Sequence, residues 1–195
     1  MDVPGGRTAR VDVLLDGSLT STGGGVQSTC SLVRDGDRVI VVDPGMAPGA
    51  SAILDPLALT GVRPEDVTEV VLSHHHPDHT MYAGLFPNAA VHDHWAIYRG
   101  TDWEDSECDG RVISPSVQLA RTPGHTAEDL ALIAGTPDGV VVTTHSWLHA
   151  DSAPEDEDPE DLEQLRESRR SILAVADRII PGHGPAFTPT DSTPR

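Results

Sequence analysis

The sequence contains no lysine. All 13 of its basic residues are arginine, 31 residues are acidic, and the formal net charge is −18. Nucleic acids and anionic membranes bind proteins largely through clustered positive side chains that release counterions. This composition therefore disfavours a broad surface for either partner. We expect no membrane partner, and RNA binding only where arginines cluster locally.

Cysteine and long apolar runs are also scarce. Cys30 lies in an apolar segment, as a small buried residue would, and Cys108 lies among acidic residues in a predicted loop. Two such distant cysteines give neither a disulfide framework nor metal-site spacing. No apolar run approaches the length of a membrane-spanning helix, and residues 1–6 lack the basic and apolar regions of a signal peptide. We therefore expect a reduced, cytoplasmic protein.

Strand and helix patterns alternate along the 195 residues, which suffice for one domain with a sizeable core. We expect this domain to span residues 1–195, with a core at about 10–188 and a flexible tail at 189–195. Apolar patterning predicts strands at residues 11–15, 28–33, 38–42, 69–72, 90–92, 112–113, 117–120, 129–134, 140–143 and 179–180. It predicts helices at residues 49–59, 80–85 and 158–175, the last with Asp158 as N-cap and Pro159 in its first position.

Three connecting stretches allow more than one interpretation. Residues 18–27, with glycines at 23–25, are either a lid or a long connection. Trp95, Tyr98 and Trp103 lie in a predicted loop, where they line a pocket or cover the core edge. Residues 151–163 are rich in acidic side chains, which is typical of a solvated linker and helix start.

The most informative stretch is Val70-Val71-Leu72-Ser73-His74-His75-His76-Pro77-Asp78-His79-Thr80. Imidazole and carboxylate groups are ligands for zinc, manganese and iron. Because alternate side chains of an extended segment share a face, His74, His76 and Asp78 can point the same way. His79 follows as the chain turns. This one short loop can therefore offer ligands to one or two ions.

The pattern His-x-His-x-Asp-His resembles the signature of the metallo-β-lactamase fold superfamily. Other landmarks of that family follow in order, at Val-Val-Asp-Pro-Gly (residues 41–45), Thr-Pro-Gly-His-Thr (122–126) and Pro-Gly-His-Gly (181–184). The resemblance covers residues 10–188. Residues 84–90 and 169–185 are similar to a subgroup of the family, the metallo-β-lactamase domain-containing protein 1 type.

The resemblance implies an α/β fold, a four-layer αβ/βα sandwich of two mixed sheets with helices outside. It implies zinc as cofactor, as one or two ions, with iron or manganese as alternatives. Asp43 would support the metal loop without direct ligation, as outer carboxylates orient ligand histidines. The implied ligands fall into two sets: His74, His76 and His125 for one ion, and Asp78, His79 and His183 for the other.

His145 occupies the position of the family's bridging aspartate. A carboxylate bridges two cations through its two oxygens and its charge, whereas a neutral imidazole offers one free lone pair. His145 can therefore ligate one ion, bind the attacking water or turn away. We expect weaker binding of a second ion, a mononuclear site or a preference for nitrogen-rich coordination. His149, and His92 and His94 at a polar strand end, are weaker candidates.

Three protein ligands per ion leave a position for water, which is typical of a catalytic site. We therefore predict a metal-dependent hydrolase whose activated water attacks an ester, thioester, lactam or phosphodiester bond, with Asp78 also orienting the nucleophile. A small molecule is the expected substrate. Two alternatives stay open: an endoribonuclease or phosphodiesterase, as in the resembled subgroup, and a non-catalytic metal-binding protein with a degenerate second site. The sequence also leaves a homodimer open.

Overall fold

The computed structural model describes residues 1–20 and 25–195. The strands in these ranges are β1 (Arg10–Leu15), β2 (Ser18–Leu19), β3 (Val26–Gln27), β4 (Cys30–Asp35), β5 (Arg38–Val42), β6 (Glu69–Val71), β7 (Ala90–His92), β8 (Ala96–Arg99), β9 (Asp102–Asp105), β10 (Val112–Ser114), β11 (Val117–Arg121), β12 (Leu130–Thr136), β13 (Gly139–Thr143) and β14 (Arg178–Ile180). The helices are α1 (Ser51–Leu59), α2 (Pro77–Thr80) and α3 (Leu162–Leu173), with 3-10 turns at Pro64–Asp66, Ala83–Leu85 and Pro154–Glu157. None of the described helices is long and apolar enough to cross a bilayer.

The first sheet has seven strands in the order β1-β4-β5-β6-β7-β8-β9. β5, β6 and β7 run parallel, and the other neighbours run antiparallel. The β4–β5 hairpin turns at Gly36, whose φ of 61° suits glycine. Because parallel strands end at the same edge of a sheet, the loops after β5 and β6 leave it side by side.

The second sheet has five strands in the order β10-β11-β12-β13-β14. β13 and β14 run parallel, so their following loops also leave at one edge, while β10 to β13 pair antiparallel. A separate ribbon joins β2 and β3, pairing Leu19 with Val26. Both main sheets are therefore mixed, as expected.

Three apolar layers hold these elements together. The layer between the sheets contains Val33, Ile40, Val42 and Val71 on one side and Val117, Leu119, Leu130 and Leu132 on the other. Ile53 and Leu57 of α1 pack on the outer face of the first sheet, and Ile172 of α3 on the outer face of the second. The order is helix, sheet, sheet, helix, which confirms the predicted four-layer αβ/βα sandwich.

The interpretation of residues 95–103 as a loop is wrong. This stretch forms β8 and β9, which extend the first sheet beyond β7. Trp103 keeps 65% of its surface exposed, and Tyr98 donates a hydrogen bond to Asp93 Oδ2 at 2.6 Å. The strands escaped prediction because, at the edge of the sheet, β9 is exposed along its length and carries no apolar alternation.

Two helix boundaries also differ from the predictions. The helix predicted at residues 80–85 is not formed, because α2 begins at Pro77 inside the histidine motif and ends at Thr80, and Ala83–Leu85 is a separate 3-10 turn. α3 begins at Leu162 rather than after Asp158, because Asp161 is its N-cap and accepts from the N–H groups of Glu163 and Gln164. Asp158 lies outside the helix with a φ of 48°.

The two predicted flexible stretches have different outcomes. Residues 21–24, at the centre of the predicted loop, lie outside the described residues. Near the C-terminus, Thr193 is buried and the Pro194 carbonyl accepts a hydrogen bond of 3.0 Å from Trp147 Nε1. Flexibility of residues 189–195 stays a prediction.

Candidate metal centre

The candidate ligands follow strands that end at one edge of the sandwich. The histidine motif follows β6, and Asp43 follows the neighbouring β5. The second sheet contributes the loops after β11, β13 and β14, which carry His125, His145 and His183. Residues far apart in sequence therefore meet because the strand order brings these loops together.

Asp43 supports the histidine motif through both of its carboxylate oxygens. Its Oδ1 accepts from the Ser73 N–H at 2.7 Å, and its Oδ2 lies 2.9 Å from His79 Nδ1. The chain then passes the motif closely at Gly45, where an added Cβ would lie 1.6 Å from the Asp78 carbonyl oxygen. The structure thus places Asp43 where the resemblance implied, behind His79.

The motif turns from an extended segment into a helix between its two halves. His76 is extended, with φ −63° and ψ 141°, and Pro77 opens α2, so Asp78 and His79 lie on the first helical turn. His75, on the opposite face, points away from the cluster: its Nε2 lies 3.2 Å from Asp93 Oδ2. The i, i+2 alternation predicted from the sequence therefore separates His75 from its neighbours.

The first ligand set, His74, His76 and His125, brings three ring nitrogens together. His76 Nδ1 lies 2.9 Å from His74 Nε2 and 3.1 Å from His125 Nε2. His125 Nδ1 donates to the Glu157 carbonyl at 2.7 Å. Since a carbonyl only accepts, this bond places the ring proton on Nδ1 and leaves the Nε2 lone pair facing the cluster.

The second set, Asp78, His79 and His183, forms a nearly equilateral triangle of acceptor atoms. Asp78 Oδ2 lies 3.4 Å from His79 Nε2 and 3.5 Å from His183 Nε2, and the two nitrogens are 3.5 Å apart. A tetrahedral ion with donors at about 2.0–2.1 Å separates them by about 3.4 Å. His183 Nδ1 donates to the Gln27 carbonyl at 2.9 Å, so its Nε2 lone pair faces inward. These residues fit a divalent ion.

His145 lies within the cluster rather than beside it. Its Nε2 is 3.1 Å from His183 Nε2, and only 2% of the residue is exposed. Gly182 packs against the ring, so a Cβ there would lie 2.5 Å from His145 Cδ2. The alternative that His145 turns away is not the arrangement observed.

Burial keeps most of the cluster histidines neutral. It lowers the pKa of His74 and His145 well below the ordinary value, lowers that of His125, and lowers that of His183 to about 4. His75 behaves oppositely, because hydrogen bonding to Asp93 raises its pKa to about 9. Neutral imidazoles are the form that binds metal ions.

Sequence reasoning missed a buried ion pair behind the cluster. Glu157 lies in the acidic stretch interpreted as a solvated linker, yet it is buried, and its Oε1 accepts from Arg169 Nη2 at 2.8 Å. Arg169 also donates to the carbonyls of Ser146 and Ser152 and lies over the Trp147 ring. This pair anchors the loop that carries His145.

The three weaker candidate histidines lie outside the described metal-binding groups. His92 Nε2 is 2.7 Å from Glu69 Oε2, and His94 Nδ1 is 3.7 Å from Cys108 Sγ. His149 packs against Gly184. Within the described ranges, the groups able to hold an ion are His74–His76–His125, Asp78–His79–His183 and His74–His79–His145.

Comparison with known sequences agrees with this geometry. A family model described as the metallo-beta-lactamase superfamily matches residues 23–185. Metallo-beta-lactamase domain-containing protein 1 of Xenopus laevis is 32% identical over 188 residues, covering 91% of this chain and 80% of that protein. The human protein of that name is 38% identical over 160 residues, covering 76% of this chain and 59% of that protein. The chain thus spans about three fifths of the human relative's length. These identities confirm the predicted resemblance to the metallo-β-lactamase domain-containing protein 1 type.

Solved structures share the fold at lower identity. A Thermotoga maritima protein superposes with a TM-score of 0.73 at 18% identity, covering 94% of this chain and 100% of its own. An N-acyl homoserine lactone hydrolase with product bound at its metal centre gives 0.64 at 20% identity, covering 94% of each chain. A protein crystallised in a di-iron-bound form gives 0.65 at 21% identity, covering 89% of this chain and 94% of its own.

Proposed function

The chain belongs to the metallo-beta-lactamase superfamily, and we propose that it is a metal-dependent hydrolase acting on an ester, thioester, lactam or phosphodiester bond. The observation that carries the proposal is the triangle of Asp78 Oδ2, His79 Nε2 and His183 Nε2, with edges of 3.4–3.5 Å. Three acceptor atoms at these distances repel one another unless a cation lies among them. An ion bound by three protein donors keeps an open position, as catalytic sites do.

Zinc is the proposed ion because imidazole and carboxylate donors at tetrahedral spacing suit it. Iron and manganese are the alternatives, and one structural neighbour was crystallised with two irons. The proposed ligands are the two sets already described: His74, His76 and His125, and Asp78, His79 and His183. When bound, such an ion lowers the pKa of a coordinated water toward about 7 and polarises a carbonyl or phosphoryl oxygen.

Asp78 is the proposed orienting residue for the attacking water. Its side chain keeps 15% exposure, whereas the His79 side chain has none. His76 is exposed as well, so a substrate reaches the cluster from the side of His76 and Asp78. A carboxylate has two oxygens, so Asp78 can hold an ion with one and accept a hydrogen bond from water with the other.

The proposed substrate is a small uncharged molecule with an apolar part. Exposed apolar side chains lie on segments that border the open side: Leu19, Val26, Met46 and Met81. The Met46 N–H donates to the Asp78 carbonyl at 2.9 Å. Val26 precedes Gln27, whose carbonyl binds His183. Apolar walls around a few polar groups are typical of small-molecule sites.

RNA is the second candidate substrate, by analogy with the resembled subgroup. A nucleic-acid backbone needs positive side chains along its path. Within the described ranges no arginine donates to a residue of the two proposed ligand sets, and Arg169, which pairs with Glu157 behind His145, is fully buried. Because these arginines offer no positive charge at the ligand sets, their positions favour the small uncharged substrate over RNA.

We also propose a cytoplasmic setting for this chain. Cys30 and Cys108 are free and buried, which suits a reducing compartment such as the cytoplasm. A homodimer stays an expectation, which sedimentation analysis of the purified chain would check.

Activity assays with matched variants test the proposal. We expect the zinc-loaded protein to hydrolyse 4-nitrophenyl acetate or a simple thioester faster than bis(4-nitrophenyl) phosphate or a short single-stranded RNA. Removing the metal, or replacing Asp78→Asn, should reduce the rate by at least about 100-fold. Asp37→Asn is the control, because the Asp37 side chain is 94% exposed. Preferential RNA cleavage would establish the nuclease, and metal binding without turnover of any substrate would favour a non-catalytic protein.

A further inference from the structure

His145 occupies the centre of the histidine cluster. Its ring centroid lies 4.6 Å from that of His74, 4.7 Å from that of His79 and 4.2 Å from that of His125. The rings of His74 and His79 are themselves 4.4 Å apart, so His74, His79 and His145 form a compact triangle. Their ligand atoms all lie within 4.8 Å of one another.

We propose that His74, His79 and His145 form a third metal site that binds one ion in place of two, and that Glu157 positions His145 for it. This inference rests on the proposed metal centre, and for a single bound ion it replaces the two outer ligand sets by the central set. The reason for a single ion is that the imidazole of His145 stands where the family resemblance implies a carboxylate that bridges two ions.

The third site excludes full occupancy of the other two because it shares a ligand with each. His74 Nδ1 is 3.0 Å from Ser73 Oγ and His79 Nδ1 is 2.9 Å from Asp43 Oδ2, so each ring turns only Nε2 inward. An imidazole nitrogen has one lone pair and serves one ion. An ion at the central site therefore leaves each outer set with two donors, below the three of a usual catalytic site.

Each ring of the central triangle has a side-chain oxygen behind its outer nitrogen. All three histidines are at most 2% exposed, which makes this the most enclosed of the three sites. The oxygens behind them are Ser73 Oγ for His74, Asp43 Oδ2 for His79 and Glu157 Oε2 for His145. Partners of this kind fix the ring orientation and tautomer of metal-binding histidines.

Glu157 faces His145 with a free oxygen. Its Oε1 is held by Arg169 Nη2 at 2.8 Å, the Leu148 N–H at 2.7 Å and Ser152 Oγ at 3.0 Å. Its Oε2 lies 4.0 Å from His145 Nδ1, and within the described chain neither of these buried atoms has a hydrogen-bond partner.

A shift of about 1 Å would turn this contact into a hydrogen bond. Once His145 Nδ1 donates to Glu157, its Nε2 lone pair faces His74 and His79. Glu157 acts through His145 and is therefore a positioning residue.

Metal titration of chelator-stripped protein tests the ion count. Elemental analysis after adding excess Zn²⁺ should give about one ion per chain for the wild type. It should give about two for His145→Asp, since a carboxylate can bridge two ions.

Glu157→Gln tests the positioning role. Arg169, the Leu148 N–H and Ser152 would keep the amide oxygen, so the amide NH₂ would face His145 Nδ1. That arrangement favours the tautomer protonated on Nε2, and we expect Zn²⁺ affinity to fall about 10–100-fold. Glu155→Gln is the control, because Glu155 lies in the same turn and pairs with Arg166 at the surface. Equal affinity for the two variants would overturn the role of Glu157.

A measurement on the wild type covers the case in which a variant does not fold. In protein with ¹⁵N-labelled histidine and one ¹¹³Cd²⁺ per chain, the metal should couple to Nε2 of His74, His79 and His145. Couplings to His76 and His125, or to His183 without His145, would overturn the inference. If the wild type and His145→Asp both bound two ions per chain, this inference would be overturned and the proposed function would stand. No ion in the wild type would remove the proposed function as well.

Discussion

Asp43 Oδ2 lies 2.9 Å from His79 Nδ1 and holds the proton of that ring on its outer side. Asp43 does so from a strained backbone, since its φ of 49° is in the left-handed region. Such strain persists where the surrounding contacts enforce it. Here the second oxygen accepts from the Ser73 N–H at 2.7 Å, so one side chain fixes both the start and the end of the histidine motif.

Asp43→Asn should weaken metal binding without altering the backbone. Asparagine tolerates the left-handed region, but if its amide oxygen stays on Ser73, its NH₂ faces His79 Nδ1. His79 then favours the wrong tautomer, and Zn²⁺ affinity should fall about 10–100-fold. Competition with a chromophoric chelator measures the affinity, with Asp37→Asn as control. Equal affinities for the two variants would remove the positioning role of Asp43.

Gly182→Ala should displace His145. The added Cβ would lie 2.5 Å from His145 Cδ2 and 2.9 Å from its Nε2, closer than side chains tolerate. We expect a loss of about 1–3 kcal/mol in unfolding free energy and a changed visible spectrum of the Co²⁺-loaded protein. Gly84→Ala is the control, because nothing lies within 4 Å of its added Cβ. A Co²⁺ spectrum identical to that of the wild type would show that His145 is not a ligand.

Arg169→Met should destabilise the protein far more than Arg170→Met. Arg169 and Glu157 are paired with no exposed side-chain surface, and removing one partner leaves a buried charge, at a cost of about 3–5 kcal/mol. Arg170 is 47% exposed and should change stability by less than about 0.5 kcal/mol. Urea unfolding of metal-free protein measures both. Similar midpoints for the two variants would show that the buried pair does not support the His145 loop.

The site ligands could be predicted because each follows an apolar strand at recognisable spacing. His74, His76 and Asp78 alternate, and the Pro-Gly-His sequence marks His125 and His183. The central place of His145 could not be predicted, because His145 is a single histidine after a strand and belongs to no recognisable ligand-spacing pattern. The parallel pairing of β13 and β14 places the loops that follow them side by side, so that His145 Nε2 lies 3.1 Å from His183 Nε2.

The buried pair behind His145 gave one signal that sequence reasoning did not use. Arg169 is four residues after Leu165 and three before Ile172, and so lies on the apolar face of α3. An arginine on such a face requires a buried acidic partner. Glu157 gave no comparable signal, because it is one acid in a run of acids and only its neighbours in space distinguish it.

Stability of the metal-free protein should be greatest near pH 6.5. Burial lowers the pKa of His74, His125, His145 and His183, so their stabilising contribution is complete above the unfolded pKa of about 6.5 and is lost as the pH falls. Burial raises the pKa of Asp129 and Glu157 to about 7, so their contribution is complete below their unfolded pKa of about 4 and is lost as the pH rises from there to about 7.

Because the four histidines with lowered pKa outnumber the two carboxyl groups with raised pKa, the unfolding free energy should fall as the pH decreases below about 6.5. Urea unfolding at intervals between pH 5 and 8 measures it. A stability that increases steadily toward pH 5 would contradict the burial of neutral histidines.

The most direct test is equilibrium titration of chelator-stripped protein with Zn²⁺, compared with His79→Ala. His79 belongs to two of the three described groups that could hold an ion, including the proposed central one. The wild type should bind with a dissociation constant below about 1 μM, which corresponds to about −8 kcal/mol, and the variant should bind at least about 100-fold more weakly. Absence of Zn²⁺ binding by the folded wild type, or equal binding by the variant, would contradict a metal centre at this cluster.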